Sequence, residues 1–121
     1  MNYRIVEHAD NSYIECLPGD GRIENERDAL DLVATCGENR LHRLLLHAEN
    51  LADGFYHLKT GLAGTVLLKF DTYSIKVAVV LTPELVNHGH FREMVLEANR
   101  RDRNFHVFFA REKAEEWLVK E

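Results

Sequence analysis

Apolar and polar positions alternate along this chain with two different periods, and the places where one period gives way to the other mark its elements. Tyr3 to His8 and Ser12 to Leu17 alternate as short strands do, and Ala9-Asp10-Asn11 between them favours a turn. The N-terminal residues are therefore expected to form a hairpin. Pro18 to Gly21 breaks the pattern, and Asn25 with Asp28 three residues later supplies a cap for a helix. That helix is expected to bury Ala29, Leu30, Val33 and Cys36 and to end at Gly37. Leu44 to Ala48 and Ile75 to Leu81 are short apolar runs suited to strands. Between them Phe55, Leu58, Leu62, Val66 and Phe70 recur at intervals of three and four, which predicts a helix of about five turns over 53–70, N-capped by Asp53. Gly61 and Gly64 inside it each cost up to about 1 kcal/mol relative to Ala, so a closely packed flank is expected there.

Thr82 to His90 reads as an irregular link, because Pro83 and Gly89 bracket a short polar stretch. It is the loop best placed for function. Phe91, Met94, Val95 and Ala98 mark the next helix, Phe105 to Phe109 a final strand, and Arg111 to Glu121 a helix held by Ala114, Trp117 and Leu118. The predicted fold class is α/β, a single domain over residues 1–121 in the order β-β-α-β-α-β-α-β-α, with a mainly parallel sheet and right-handed crossovers. If successive strands lie side by side, all the helices fall on one face. Leu44, Leu46, Ala48, Ile75, Val77, Val79, Leu81, Phe105, Val107 and Phe109 form the apolar set that belongs against them. The opposite set mixes Leu45, Ala78, Val80 and Phe108 with His47, Lys76 and His106. That second face is expected to be partly exposed, or covered by the hairpin or another subunit, and a homodimer through it or along an edge strand is expected.

Composition narrows the setting. A chain of 121 residues is long enough to bury one core without staples. Twenty acidic against fifteen basic side chains give a net charge of -5, which disfavours binding to nucleic-acid backbones. Cys16 and Cys36 lack any CxxC spacing or clustered His partner and read as small buried apolar residues. Charged residues throughout the first fifteen positions do not fit a signal peptide, and no run approaches membrane-spanning length, so a cytoplasmic protein without membrane contact is expected.

The chemistry on offer is sparse. Ser12 and Ser74, the two serines, are not on nucleophile elbows, neither cysteine has a catalytic context, and no phosphate-binding glycine motif has its required spacing. Neither a catalytic residue nor a cofactor is assigned. His88-Gly-His90 lies in a loop where two rings can turn to one ion, but a metal site needs three or four ligands, and none is assigned either. The residues expected to gather at the carboxyl ends of the parallel strands, where open α/β sheets bind ligands, are Asn50, Asp53, Thr82, His88 and His90. They are the candidates for contact with a ligand or partner.

Ala29-Leu-Asp-Leu32, the Thr-Gly-Leu-Ala-Gly core of residues 60–64 with Lys69-Phe70 and Tyr73, the Lys76-Val-Ala-Val-Val strand, and Glu97-Ala-Asn99 followed by Phe108-Phe109 form an ordered set. Over roughly residues 25 to 118 it resembles the bacterial domain-of-unknown-function family 4180, which implies no assigned reaction. The element order is also similar to the STAS domain of anti-sigma-factor antagonists, in which a phosphorylated Ser or Thr stands near the start of the helix after the third strand. The corresponding place here, Glu49 to Gly54, holds no hydroxyl, though Asp53 puts permanent charge there. The STAS-like resemblance implies a noncatalytic interaction or regulatory module, docking an unknown protein partner through the start of the central helix, the 82–90 loop or the open sheet face. The alternative is a small-ligand-binding protein or enzyme with its site at the strand ends.

Overall fold

The computed structural model of the protein describes residues 1–19, 21–87, 89–101 and 104–120. Strands β1 (Tyr3–Val6) and β2 (Tyr13–Cys16) form the expected hairpin, followed by α1 (Glu26–Glu38) and β3 (Arg43–His47). Helix α2 (Leu62–Thr72), β4 (Lys76–Val80), α3 (Pro83–Val86), α4 (Gly89–Arg101), β5 (Phe105–Phe108) and α5 (Arg111–Leu118) complete the order. Asn25 caps α1 as its sequence indicates, its side chain accepting the Asp28 N–H at 3.0 Å, while the Asp28 carboxylate accepts the Glu24 N–H at 2.8 Å. Gly37 does not end this helix. The chain runs on to Glu38 and reverses at Arg40, whose φ of 57° takes the left-handed place expected of a glycine.

The strands lie in sequence order, β1-β2-β3-β4-β5, with β1 antiparallel to β2 and every later pair parallel. The mainly parallel α/β sheet therefore stands as read from the sequence. Right-handed crossovers between adjacent parallel strands place α1, α2 and α4 on one face. There Ile14, Leu44, Leu46, Val77 and Val79 meet Ala29, Leu32, Val66, Phe70, Phe91 and Val95 in the main core.

Two expectations fail for physical reasons. The five-turn central helix is broken: short 3-10 turns at Ala48–Asn50, Asp53–Tyr56 and Leu58–Thr60 precede α2, which starts only after Gly61. His57 is extended (φ -110°, ψ 101°) and Gly61 is left-handed (φ 75°), and neither conformation continues a helix. The Thr60 hydroxyl closes the break, lying 2.7 Å from Gly54 O and accepting the Leu62 N–H at 3.2 Å. The helical spacing was misleading because a 3-10 turn also buries one side, here Phe55 and Tyr56, while Leu58 stays exposed. Gly61 is thus a backbone hinge, and nothing lies within 4 Å of a Cβ built on Gly64, so close packing explains neither glycine.

The second sheet face is not open. Helix α5 follows the last strand, makes no crossover, and is free of the handedness rule. It lies across that face, burying Ala114 and Leu118 against Tyr13, Leu45 and Ala78, with Val80, Phe108 and Trp117 around them. The polar members of the face are what seat it. Lys76 Nζ donates to Trp117 O at 2.8 Å and Lys120 O at 2.9 Å, and Arg43 Nε donates to Leu118 O at 2.9 Å. Cations from the starts of β3 and β4 thereby satisfy the carbonyls at the negative end of α5. His106 stacks on Trp117 at 4.7 Å, with Lys76 Nζ 4.5 Å above the same ring. The face through which a homodimer was expected is thus covered by α5 of the same chain.

Candidate functional site

The carboxyl ends of the strands do not form one crevice. Ligands enter an open α/β sheet where neighbouring crossovers leave to opposite faces, and the sequential order here has no such reversal between β2 and β5. The sequence-predicted residues are accordingly dispersed. Asn50 is fully buried, its carboxamide accepting the His47 N–H at 2.8 Å and donating to Leu17 O at 3.0 Å. Its backbone carbonyl takes the Ile23 N–H at 2.7 Å. Asn50 therefore ties the end of β3 to the chain leaving β2 and presents no surface to a ligand.

Asp53 is exposed and opens a 3-10 turn after Ala52, so it caps no helix, and no acidic residue stands in the first turn of α2. Thr82 is the N-cap of α3, its hydroxyl accepting the Leu85 N–H at 3.3 Å, with Pro83 in the first helical turn. The 82–90 link is therefore partly helical, because Thr82 and Pro83 together make a start signal that outweighs the shortness of the stretch. His88 lies outside the described residues. His90 is exposed, 3.3 Å from Glu93, and lines a cleft of about 360 Å³ with Tyr56, His57, Leu58, Lys59, Gly89 and Phe91. Neither Asn50, Asp53 nor Thr82 reaches that cleft. Among the described residues no group of three or more His, Cys, Asp or Glu is placed to hold a metal ion.

A polar cluster that the alternation analysis left unassigned sits where β2, β3 and the start of α5 meet. Glu15 is buried; Arg111 donates to it from Nε (3.0 Å) and Nη2 (2.7 Å), Arg4 from Nε (3.0 Å) and Nη2 (2.8 Å). His47 Nε2 lies 2.7 Å from its other oxygen. Burial alone would raise the Glu15 carboxyl, but the hydrogen bonds from Arg111, His47 and Arg4 overcome it and hold the group at about 2. Because an ionised carboxylate only accepts, His47 Nε2 must carry the proton. Tyr13 bonds to Glu115 of α5 and accepts from Arg111 at 3.1 Å, and burial together with the Glu115 bond pushes its phenol up. Every member is engaged within the chain, and among the described residues no buried side-chain polar atom lacks a partner. The cluster clasps α5 to β1, β2 and β3. Its sequence signal was Glu15, a charge in strand register with Tyr13 on the mixed set.

A further concave surface is a groove of about 360 Å³ between α3, α4 and the end of β5. Pro83, Val86, Val95, Leu96, Val107 and Phe109 make its apolar walls, and Arg92, Asn87 and Asn99 add the polar groups. Phe109 is 61% exposed and Leu96 53%, the former because β5 ends one residue earlier and the chain turns away into α5. Phe109 therefore does not join the helix-facing core set. Asn99 closes the outer edge of β5: Val107 N–H donates to its Oδ1 at 2.9 Å and its Nδ2 donates to Val107 O at 3.2 Å. The one legible signal for the groove was Leu96, an apolar residue off the buried stripe of its own helix. The groove includes part of the 82–90 segment but none of the five predicted residues.

Among the described residues no helix is long and apolar enough to cross a membrane. No curated protein and no solved structure matches the chain. The model of the family described as a domain of unknown function, DUF4180, matches residues 8–118, a span that carries every element from β2 to α5, and the chain belongs to that family.

Proposed function

We propose that this protein is a noncatalytic interaction module that docks a protein partner through the groove between α3, α4 and the end of β5. The observation that carries the reading is the exposure of Phe109 and Leu96 on either side of an apolar cleft at the strand ends. Large apolar side chains left in water around a concave surface are what a protein contact covers, whereas a polar metabolite needs convergent hydrogen-bonding groups. In this reading the module works in the regulatory, STAS-like manner anticipated from its element order, by contact and without a reaction of its own, in a bacterial cytoplasm. Self-association along a sheet edge belongs to the β1 side. Leu17 N–H bonds to Asn2 O, which turns the main-chain groups of Tyr3 and Ile5 outward, and no strand covers them among the described residues.

The test compares stoichiometric capture from native lysate by the wild-type chain and by Phe109→Asp and Leu96→Asp variants of unchanged circular dichroism. Docking through the groove requires a band that the wild type retains and both variants lose. Capture of the same proteins by all three, or of none by the wild type, overturns it.

A second reading, a small anionic ligand, is supported by the basic side chains of His57, Lys59 and His90 around the cleft at the start of α4. Inorganic phosphate titrated into the protein and followed by NMR shifts of Gly89 to Phe91 tests it. Absence of saturable shifts at millimolar phosphate removes it.

A further inference from the structure

We infer that the partner enters the groove as a single amphipathic helix carrying a carboxylate beside its apolar anchors, and not as an added strand. The inference rests on the docking reading above and deepens it. Protein segments recognised at a sheet margin come in two main forms: a strand that extends the sheet through its free main-chain groups, or a helix that lays an apolar stripe into a groove. At β5 the first form is blocked. Val77 N–H bonds to Asn104 O at 2.6 Å and Leu81 N–H to Phe108 O at 2.9 Å, so the even positions of β5 serve β4 and Val107 points its N–H and C=O outward. Asn99 takes both of those groups with one carboxamide. An incoming strand would have to displace it at the middle of the edge.

The groove itself suits the second form. Its apolar walls lie between two helices and the strand end, and its volume of about 360 Å³ receives the anchor side chains of one helix face. Charge sets the rest of the chemistry. Arg92 is the charged residue lining the groove, it is exposed, and among the described residues it makes no ion pair. On the same helix Glu97 is paired with Arg100 and Arg101, while Glu93 lies 3.3 Å from the His90 ring. Arg92 is thus a solvent-exposed cation at an apolar rim, without an ion-pair partner among the described residues, and an acidic group flanking the anchors complements it.

A displayed peptide library tests the inference on the full chain. Half of its members carry apolar residues at i, i+3, i+4 and i+7 with random flanks, and half alternate apolar and random positions in an extended pattern. Clones are counter-selected against Phe109→Asp. The expected result is Phe109-dependent binders from the helical half with Asp or Glu next to an anchor. Arg92→Glu should weaken them about three- to fivefold, as an exposed ion pair commands, and replacing their acid by Lys should restore binding to that variant. Binders drawn from the extended half, strengthened by Asn99→Ala, overturn the inference, as do helical binders indifferent to Arg92→Glu. A library with no Phe109-dependent clone also overturns it, while groove docking itself then stands or falls separately on the lysate comparison.

Discussion

Replacing Glu15 by Gln gives the sharpest test of how α5 is held. The substitution keeps the shape of the side chain and removes the charge that Arg111, Arg4 and His47 surround. In the folded protein the carboxyl is held at about 2, against 4.5 for the ordinary group. At about 1.4 kcal/mol per pH unit that difference is worth about 3 kcal/mol. Arg4 is mostly in water and Arg111 partly so, with side-chain exposures of 57% and 32%, and screening trims the figure to about 2 to 3 kcal/mol. The direction follows from linkage: a depressed carboxyl contributes its stability above the unfolded value and loses it as pH falls through the folded one. The wild type should therefore exceed Glu15→Gln by that margin at pH 6, and the gap should close between about pH 4.5 and 2. Urea unfolding, followed by the fluorescence of the single tryptophan, Trp117 on α5, measures both chains across this window. No gap at pH 6 would mean that the clasp is a pairing of no consequence, and a gap that stays unchanged from pH 6 to pH 2 would mean that the charge of Glu15 is not what holds it; either result refutes this account of α5 docking.

The two central glycines should respond with opposite signs. Gly61→Ala places a side chain at φ 75° and should cost about 1 to 2 kcal/mol, while Gly64→Ala, in a helix with open space around it, should gain up to about 1 kcal/mol; thermal melts of the two variants decide this. Burial raises the thiols of Cys16 and Cys36 to about 12 and about 11, so neither should react with Ellman's reagent in the native protein at pH 8 and both should react in urea. A fast native thiol would contradict their placement. Lys76→Met removes the two hydrogen bonds that Nζ makes to the end of α5, leaving that of Arg43, and should destabilise the fold by about 1 to 2 kcal/mol, with a change in native Trp117 emission.

Most of the scaffold was legible because local signals and tertiary packing agree. The alternation of Tyr3–Cys16, the Asn25 cap and the apolar runs of β3 and β4 each point to one structure. The central segment was not legible at that level. Spacing of three or four fits a 3-10 turn and an α-helix alike, and what separates them is the backbone at His57 and Gly61, which leaves no mark in an apolar pattern. The covering of the second face was hidden for another reason. His47, Lys76 and His106 look like solvent-facing residues until their partners, Glu15 and the carbonyls and indole at the end of α5, are known. Function was the least legible, because Asn50 and Thr82 spend their polar groups on the fold. The groove is built instead from apolar residues that announce no chemistry.

The position of α5 after the last strand has a consequence for synthesis. Strands that pair with their chain neighbours can assemble progressively as the polypeptide leaves the ribosome, and the three-helix side of the sheet closes with them. The α5 side stays bare until residues 111–118 emerge, so a nascent chain stalled before Arg111 presents Tyr13, Leu45, Ala78 and Val80 to whatever else is in solution. Chaperone capture or aggregation of such stalled chains is the hazard this architecture carries.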